Sequence, residues 1–349
     1  MSYARENIAD MSGYIPGEQP PAGKFIKLNT NENPYPPSSQ VLQAISQVSG
    51  DCLRRYPDPS ASAFRRVAGD LFGFPEDWIL CGNGSDDILT IAMRTFVGEG
   101  QAVRFPTPSY VLYKTLAQIQ DARPQAVPFT SDWTLDKTFS ERDDNVRLAI
   151  IANPNSPSGT CLTPDQIRVI ANQLPCPLLV DEAYVDFADT DCLSLVREYE
   201  HVMVSRTLSK SYALAGIRFG FVLAQPSLIE QIQKVKDSYN CDAIATTAAT
   251  AAISDQRWLD ETRRQIVATR TRASLELASL GFQIPPSQAN FLWCPHPGKN
   301  LKPVYQELKN RHILVRYMDY SGWPEGLRIT VGTDEQMDAC LGQLADILG

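Results

Sequence analysis

Three short apolar runs constrain the fold most: RLAII (147–151), PLLVD (177–181) and HVMVS (201–205). Each has the length of a buried strand. Between the first two lies TPDQIRVIANQL (163–174), a helical stretch with Thr163 at a capping position and Pro164 at the first helical one. Strand, helix, strand in this order predicts a mainly parallel sheet covered by helices on both faces. Short apolar runs alternate with helical stretches in this way from about 60 to 250. In open α/β sheets, ligands bind beyond the carboxyl ends of the strands. Here each run leads into polar chemistry: the first into NPNSPSG (153–159), the second into Asp181, the third into a turn containing Lys210.

The flanks differ in character. Residues 1–40 carry GYIPG (13–17) and NENPYPP (31–37), and proline at that density predicts an extended arm. Residues 226–280 read as mostly helical, with Gly281 as a stop. Beyond them ILVRYMD (313–319) and LRITVG (327–332) read as strands. A closing helix follows, with Thr333 and Gln336 forming a capping box and Met337, Leu341, Leu344 and Leu348 on one face. The expected organisation is a large α/β domain over 46–250 and a smaller α+β domain made of 1–45 and 251–349.

The 349-residue chain has a net charge of −8, which disfavours a nucleic-acid partner, so an anionic ligand must be met by local arginines and backbone amides. Eight scattered cysteines without a CxxC pair fit reduced thiols in the cytoplasm better than disulfides or zinc. Three histidines with no ligand-like spacing argue against a metal site, and no apolar run is long enough to cross a membrane.

Lys210 sits in TLSKSYALAGIRFG (207–220), among hydroxyls, small residues and glycine. Such an amine is an exposed turn lysine or a covalent anchor able to form a Schiff base with an aldehyde, with Thr207, Ser209 and Arg218 as donors for an anion. An aldehyde and a phosphate on one small molecule describe pyridoxal phosphate. Asp181 is then either a turn cap or the partner of a protonated pyridine nitrogen. Tyr184 and Asn155 are candidates for the ring oxygen, and Glu182, pointing the other way along the strand, is a structural acid. GNGSDD (82–87) offers Gly84, Ser85 and Asp86 at a helix N-terminus, where bare amides suit a phosphate. Tyr110 in PTPSYVLY either stacks on the ring or packs in the core. Arg316 and Arg328 lie in the two tail strands. Alternation puts Arg328 on the face opposite Leu327 and Ile329, where it and Arg316 can meet a substrate carboxylate or phosphate, with Tyr14 of the arm closing over them.

GNGSDD, PTPSYVLY, NPNSPSG, VDEAYVDF, RTLSKSYALAGIRFG and LRITVGT, in this order and spacing, resemble the fold-type-I pyridoxal-phosphate aminotransferases, and within them the histidinol-phosphate aminotransferases. The resemblance spans nearly the whole chain. It implies that Lys210 anchors the cofactor, that Asp181 meets its ring nitrogen, that Tyr184 and Asn155 lie near its ring oxygen, and that Tyr110 stacks on it. The phosphate would sit among Gly84, Ser85, Asp86, Thr207, Ser209 and Arg218. Tyr56, in RRYPDP, would reach the neighbouring subunit's phosphate, so a homodimer with shared sites is implied. The implied reaction is reversible amino transfer from L-histidinol phosphate to 2-oxoglutarate, giving imidazole acetol phosphate and glutamate in histidine biosynthesis. Similar chains act on aromatic amino acids or decarboxylate threonine phosphate; a non-catalytic binding module would have no need of Lys210, Asp181 and Arg218 together. The chain departs from the family pattern where Ser156 and Ser158 replace an asparagine and a threonine.

Overall fold

The computed structural model describes residues 3–13, 17–21 and 23–349. Among them the strands are, in chain order, β1 (Ile26–Lys27), β2 (Ile79–Gly82), β3 (Ala102–Thr107), β4 (Arg123–Pro128), β5 (Val146–Ala152), β6 (Leu178–Asp181), β7 (Val202–Thr207), β8 (Gly220–Leu223), β9 (Phe291–Pro295), β10 (Ile313–Leu314), β11 (Arg316–Met318) and β12 (Gly326–Thr330). Seven of these build the large sheet in the order β2-β8-β7-β6-β5-β3-β4. The pairs along β4-β3-β5-β6-β7 are parallel, whereas β8 runs antiparallel to β7 and β2. That reversal positions the site. Because β8 returns alongside β7, the intervening segment 208–219 stays at the carboxyl end of the sheet and keeps Lys210 and Arg218 there.

Period-two alternation fills two cores, one on each face of the sheet. Leu178, Val180, Val202 and Val204 enter one, with the helices Ser62–Phe72, Pro164–Gln173 and Ala243–Ser254. Leu179, Met203, Leu148 and Ile150 enter the other, under the helices Ser85–Phe96 and Leu112–Ile119. Strands buried on both faces read as continuous apolar runs, which is why they stood out. Thr163 caps its helix through a complete capping box with Gln166, a local contact of about 1 kcal/mol.

A third core belongs to the small body: the antiparallel sheet β11-β12-β9, the parallel pair β1-β10, and the helices Leu301–Asn310 and Asp334–Leu348 around Leu292, Leu327, Ile329 and Met337. The 24-residue helix Gln256–Ser279 links the bodies, with Leu259 in the large core and Ala273 and Leu277 in the small one.

Three local expectations are revised. The run 313–319 is two strands, because Ile313 and Leu314 pair with Ile26 and Lys27 while Arg316 pairs with Arg328. The arm is not extended throughout. The stretch Glu6–Asp10, free of proline and glycine, forms a short helix, held to Leu112–Ile119 by Arg5 Nη2 on Ile119 O (2.9 Å) and Asn7 Nδ2 on Gln118 O (2.8 Å). The helix Ser39–Ser46, assigned with the arm from sequence, packs Val41 into the large-domain core.

Candidate active site

The carboxyl ends of β5, β6 and β7, the start of helix Ser85–Phe96, the arm and the small sheet enclose a cavity of about 200 Å³. Lys210 is at its wall. Its Nζ donates to Thr30 O (3.2 Å) and lies 5.8 Å from the centre of the Tyr184 ring. Burial lowers its pKa to about 8, with Arg328 and, less strongly, Arg218 adding repulsion against the support of Glu32 and Asp86.

Asp181 ends β6, buried, in register with Ala152 and Ser205. It accepts hydrogen bonds from Tyr113 Oη (2.7 Å) and Ser205 Oγ (3.3 Å). Burial raises its pKa to about 6, against the lowering effect of those hydroxyls. Tyr113, fully buried, was missed from sequence although it lies three residues beyond Tyr110, on the adjoining helical turn; Ser205 was missed as one polar letter in an apolar strand. Glu182, the next residue, points away, pairs with the buried Arg206 (2.8 Å) and accepts from the Cys192 amide.

An anion cradle forms where helix Ser85–Phe96 begins. Ser85 and Asp86 line the cavity, and the first amides of a helix have no intrahelical acceptor. Gly84 stands just behind, at φ +84°, where a Cβ would come within 2.7 Å of Arg218 Nη2; on Gly220, one would come within 2.5 Å of the Ser85 nitrogen. Both glycines therefore let the Arg218 arm and β8 press against the helix start. Arg218 itself is left-handed (φ 59°), a strained state for such a residue, and donates to Ser209 Oγ (3.3 Å) and Asp86 Oδ2 (3.0 Å). The Arg218–Asp86 pair is nearly half exposed, so it holds the guanidinium only weakly and leaves it available to an anion. Thr207 and Ser209 complete the cradle, and Tyr110 lines it with its hydroxyl on Asp86 Oδ1 (3.1 Å).

On the opposite wall, Arg316 and Arg328 are directly paired across β11 and β12. Arg328 donates from Nη1 to Ser156 Oγ (2.9 Å) and from Nη2 to Asn29 O (3.0 Å), while its buried Nε has no acceptor among the described residues. Its neighbours Leu327 and Ile329 face the small core, as alternation required. Both arginines line the cavity, so this wall carries two side chains whose guanidinium forks are able to meet an anion.

One assignment fails. Asn155 does not reach the cavity: its Nδ2 donates to Ser158 Oγ (2.9 Å) and Pro108 O (3.2 Å), and its Oδ1 accepts from Ser109 Oγ (2.8 Å). Both its amide hydrogens are taken by these contacts, which tie the 153–159 loop to Pro108, and the next residue, Ser156, lines the cavity. Tyr56 is 81% exposed and stacks on Tyr239 (4.5 Å between centroids), away from the cavity lining. Tyr14 lies outside the described residues.

The residues of the cavity fit pyridoxal phosphate: an amine of lowered pKa, a buried carboxylate, an anion cradle opened by glycines, and an arginine wall with an N–H that has no acceptor among the described residues. Among the described residues no cluster of His, Cys, Asp or Glu could hold a metal, and no helix is long and apolar enough to cross a membrane.

A doubly covered, mainly parallel sheet with a lysine beyond its carboxyl edge and a carboxylate at the end of a neighbouring strand defines the fold-type-I aminotransferase class. The family model for aminotransferase class I and II matches residues 23–344. The chain is 54% identical over 338 residues to a histidinol-phosphate aminotransferase of Rhodopirellula baltica, covering 97% of this chain and 93% of that protein. It is 45% identical to histidinol-phosphate aminotransferase 1 of a Nostoc species, covering 99% and 98%. The crystal structure of the Sinorhizobium meliloti histidinol-phosphate aminotransferase in complex with pyridoxal 5′-phosphate superposes with a TM-score of 0.88 at 25% identity, covering 100% of this chain and 98% of that one. The chain belongs to the class I and II aminotransferases.

Proposed function

We propose that this chain is a pyridoxal-phosphate-dependent histidinol-phosphate aminotransferase. It moves the amino group between L-histidinol phosphate and 2-oxoglutarate, reversibly, as a step of histidine biosynthesis. The similarity to a histidinol-phosphate aminotransferase at 54% identity over almost the whole chain supports this substrate. The observation that carries it in the site is the paired Arg316 and Arg328 on the wall across from Lys210. The reaction needs a cation twice, for a phosphate in one half and a dicarboxylate in the other, and a guanidinium fork meets either oxyanion with paired hydrogen bonds.

When bound, pyridoxal phosphate supplies an aldehyde that condenses with amines and a ring that takes up the electron pair released at the substrate Cα. The chain supplies everything else. Ser85, Asp86, Thr207, Ser209 and Arg218, with Gly84 behind them, would hold the phosphate; Tyr110 would cover the ring; Asp181 would pair with the protonated ring nitrogen; Tyr184 would donate to the ring oxygen. Lys210 would anchor the cofactor, and its Nζ, when not engaged as the anchor, would take the proton from the substrate Cα and hold it for return. An amine with a pKa of about 8 is a competent base near neutrality, where an ordinary lysine is not. The test is an assay of histidinol phosphate, phenylalanine and threonine phosphate side by side, which also covers aromatic transamination and threonine-phosphate decarboxylation. Preference for either of the latter two would refute the assignment.

Arg328→Ala should raise KM for both histidinol phosphate and glutamate by about 10- to 100-fold, the worth of a charge-assisted hydrogen bond, with cofactor still bound. Unchanged KM for both substrates would remove Arg328 from the substrate site while leaving the cofactor site standing.

The working unit in this reading is a cytoplasmic homodimer with shared sites. The unpaired state of the eight cysteines suits a reducing compartment. Tyr56 projects from its loop as a strongly exposed aromatic, stacked on the exposed Tyr239 and three residues from the exposed Leu53, which suits a contact with a second copy. Mixing Lys210→Ala with Tyr56→Ala protomers should therefore restore up to about a quarter of wild-type activity, because random pairing makes half the dimers hybrids with one intact site each. Verified hybrids that stay inactive would exclude sharing through Tyr56.

A further inference from the structure

We propose that Asn31 is a positioning residue that sets the direction of the Tyr184 hydroxyl proton, so that the phenol acts as a donor into the cavity. This rests on the reading above, in which Tyr184 meets the cofactor's ring oxygen. Asn31 is buried and left-handed (φ 57°), a conformation asparagine tolerates better than most side chains. Its contacts form a closed set. The Asn31 backbone N–H donates to Thr330 Oγ1 (2.9 Å), the Thr330 hydroxyl donates to Asn31 Oδ1 (3.2 Å), and Asn290 Nδ2 donates to the Asn31 carbonyl (3.1 Å).

The hydroxyl of Thr330 decides the polarity. It accepts from the Asn31 backbone through one lone pair and gives its proton to the side-chain oxygen of Asn31, so the amide stands with its oxygen towards Thr330. The other end, Nδ2, then faces Tyr184 Oη at 2.9 Å, and an amide nitrogen can only donate. The phenol oxygen accepts there, and its own proton is left for an acceptor elsewhere. Tyr184 lines the cavity, so that proton is available to an oxygen bound within it. The arm, the large domain and the small sheet thus meet on one amide, and the polarity of a cavity group depends on all three being assembled.

Two variants separate the amide from the backbone. Asn31→Gly keeps the left-handed conformation and deletes the amide. Asn31→Asp keeps the shape and the acceptor for Thr330 but puts an acceptor opposite Tyr184, which draws the phenol proton away from the cavity. Each should weaken pyridoxal phosphate binding to the cofactor-free protein about three- to tenfold, measured by absorbance titration. Each should also shift the pH dependence of the bound cofactor's absorbance in the same direction as Tyr184→Phe. In Asn31→Asp/Tyr184→Phe the loss should equal that of Tyr184→Phe alone, because the two act through one proton. Additive losses, or Asn31 variants that lower thermal stability while leaving affinity and spectrum unchanged, would overturn the inference and leave Asn31 as a packing residue. If Tyr184→Phe itself left affinity and spectrum unmoved, the placement of Tyr184 would fall first, and the role of Asn31 with it.

Discussion

Lys210→Ala should abolish the covalent yellow form of the protein and lower turnover by at least about four orders of magnitude, since anchor and proton carrier are lost together. The lysine's surroundings explain the size of the effect. With its pKa lowered to about 8, roughly a tenth of Lys210 is neutral at pH 7; at an ordinary 10.5 it would be about one part in three thousand. Only the neutral amine attacks a carbonyl or accepts a proton, so burial and the nearby Arg328 leave far more of this lysine in its reactive form at neutral pH than an ordinary lysine would have. The same argument sets a pH dependence. Capture of pyridoxal phosphate by the cofactor-free protein should accelerate as pH rises and level off above about 8, followed by the growth of visible absorbance. A midpoint near 10, or a Lys210→Ala variant that turns over within tenfold of wild type, would contradict the assignment.

Asp181→Asn should fold and still bind cofactor, yet lose about three orders of magnitude in kcat. The carboxylate sits buried at the end of β6 with two hydroxyl donors, Tyr113 and Ser205, aimed at it, and an amide cannot hold a proton on a ring nitrogen. Tyr113→Phe should show a smaller loss in the same direction, because it removes one support of the charge. The stability effect has the opposite sign. In the cofactor-free protein Asp181 has its pKa raised to about 6, so the fold penalises the ionised form. That penalty is absent below the unfolded-state value near 4, grows between about 4 and 6, and is full above 6. Asp181→Asn removes it, and at neutral pH the cofactor-free variant should be more stable than wild type, by up to about 3 kcal/mol. Thermal melts of both proteins at pH 5 and pH 7.5 would check this: the gap should widen with pH. A variant that melted earlier at pH 7.5, or kept kcat within a few-fold, would show that Asp181 is structural.

Much of the site was legible because its chemistry is local in sequence. Lys210, Ser209, Thr207 and Arg218 fall within twelve residues, Asp181 closes an apolar run, and the start of helix Ser85–Phe96 is marked by its glycines. Strands buried on both faces, capping boxes at Thr163 and Thr333, and alternation around Arg328 rest on spacings of two to four residues, which any window of sequence contains. These were within reach of the sequence alone.

What only the tertiary structure decided is which of two neighbouring polar residues faces the cavity, and with whom it bonds. In NPNSPSG the choice between Asn155 and Ser156 follows from the path of an irregular loop, and the acceptors that consume the Asn155 amide include Pro108, 47 residues away. Splitting 313–319 into two strands required the arm as a partner, and Asn31 gains its role from Tyr184, 153 residues on, and Thr330, 299 residues on. No periodicity encodes such contacts. They depend on hydrogen-bond donors and acceptors being brought together by the packing of three cores, and a hydrogen bond's direction is set by every other bond its two groups make.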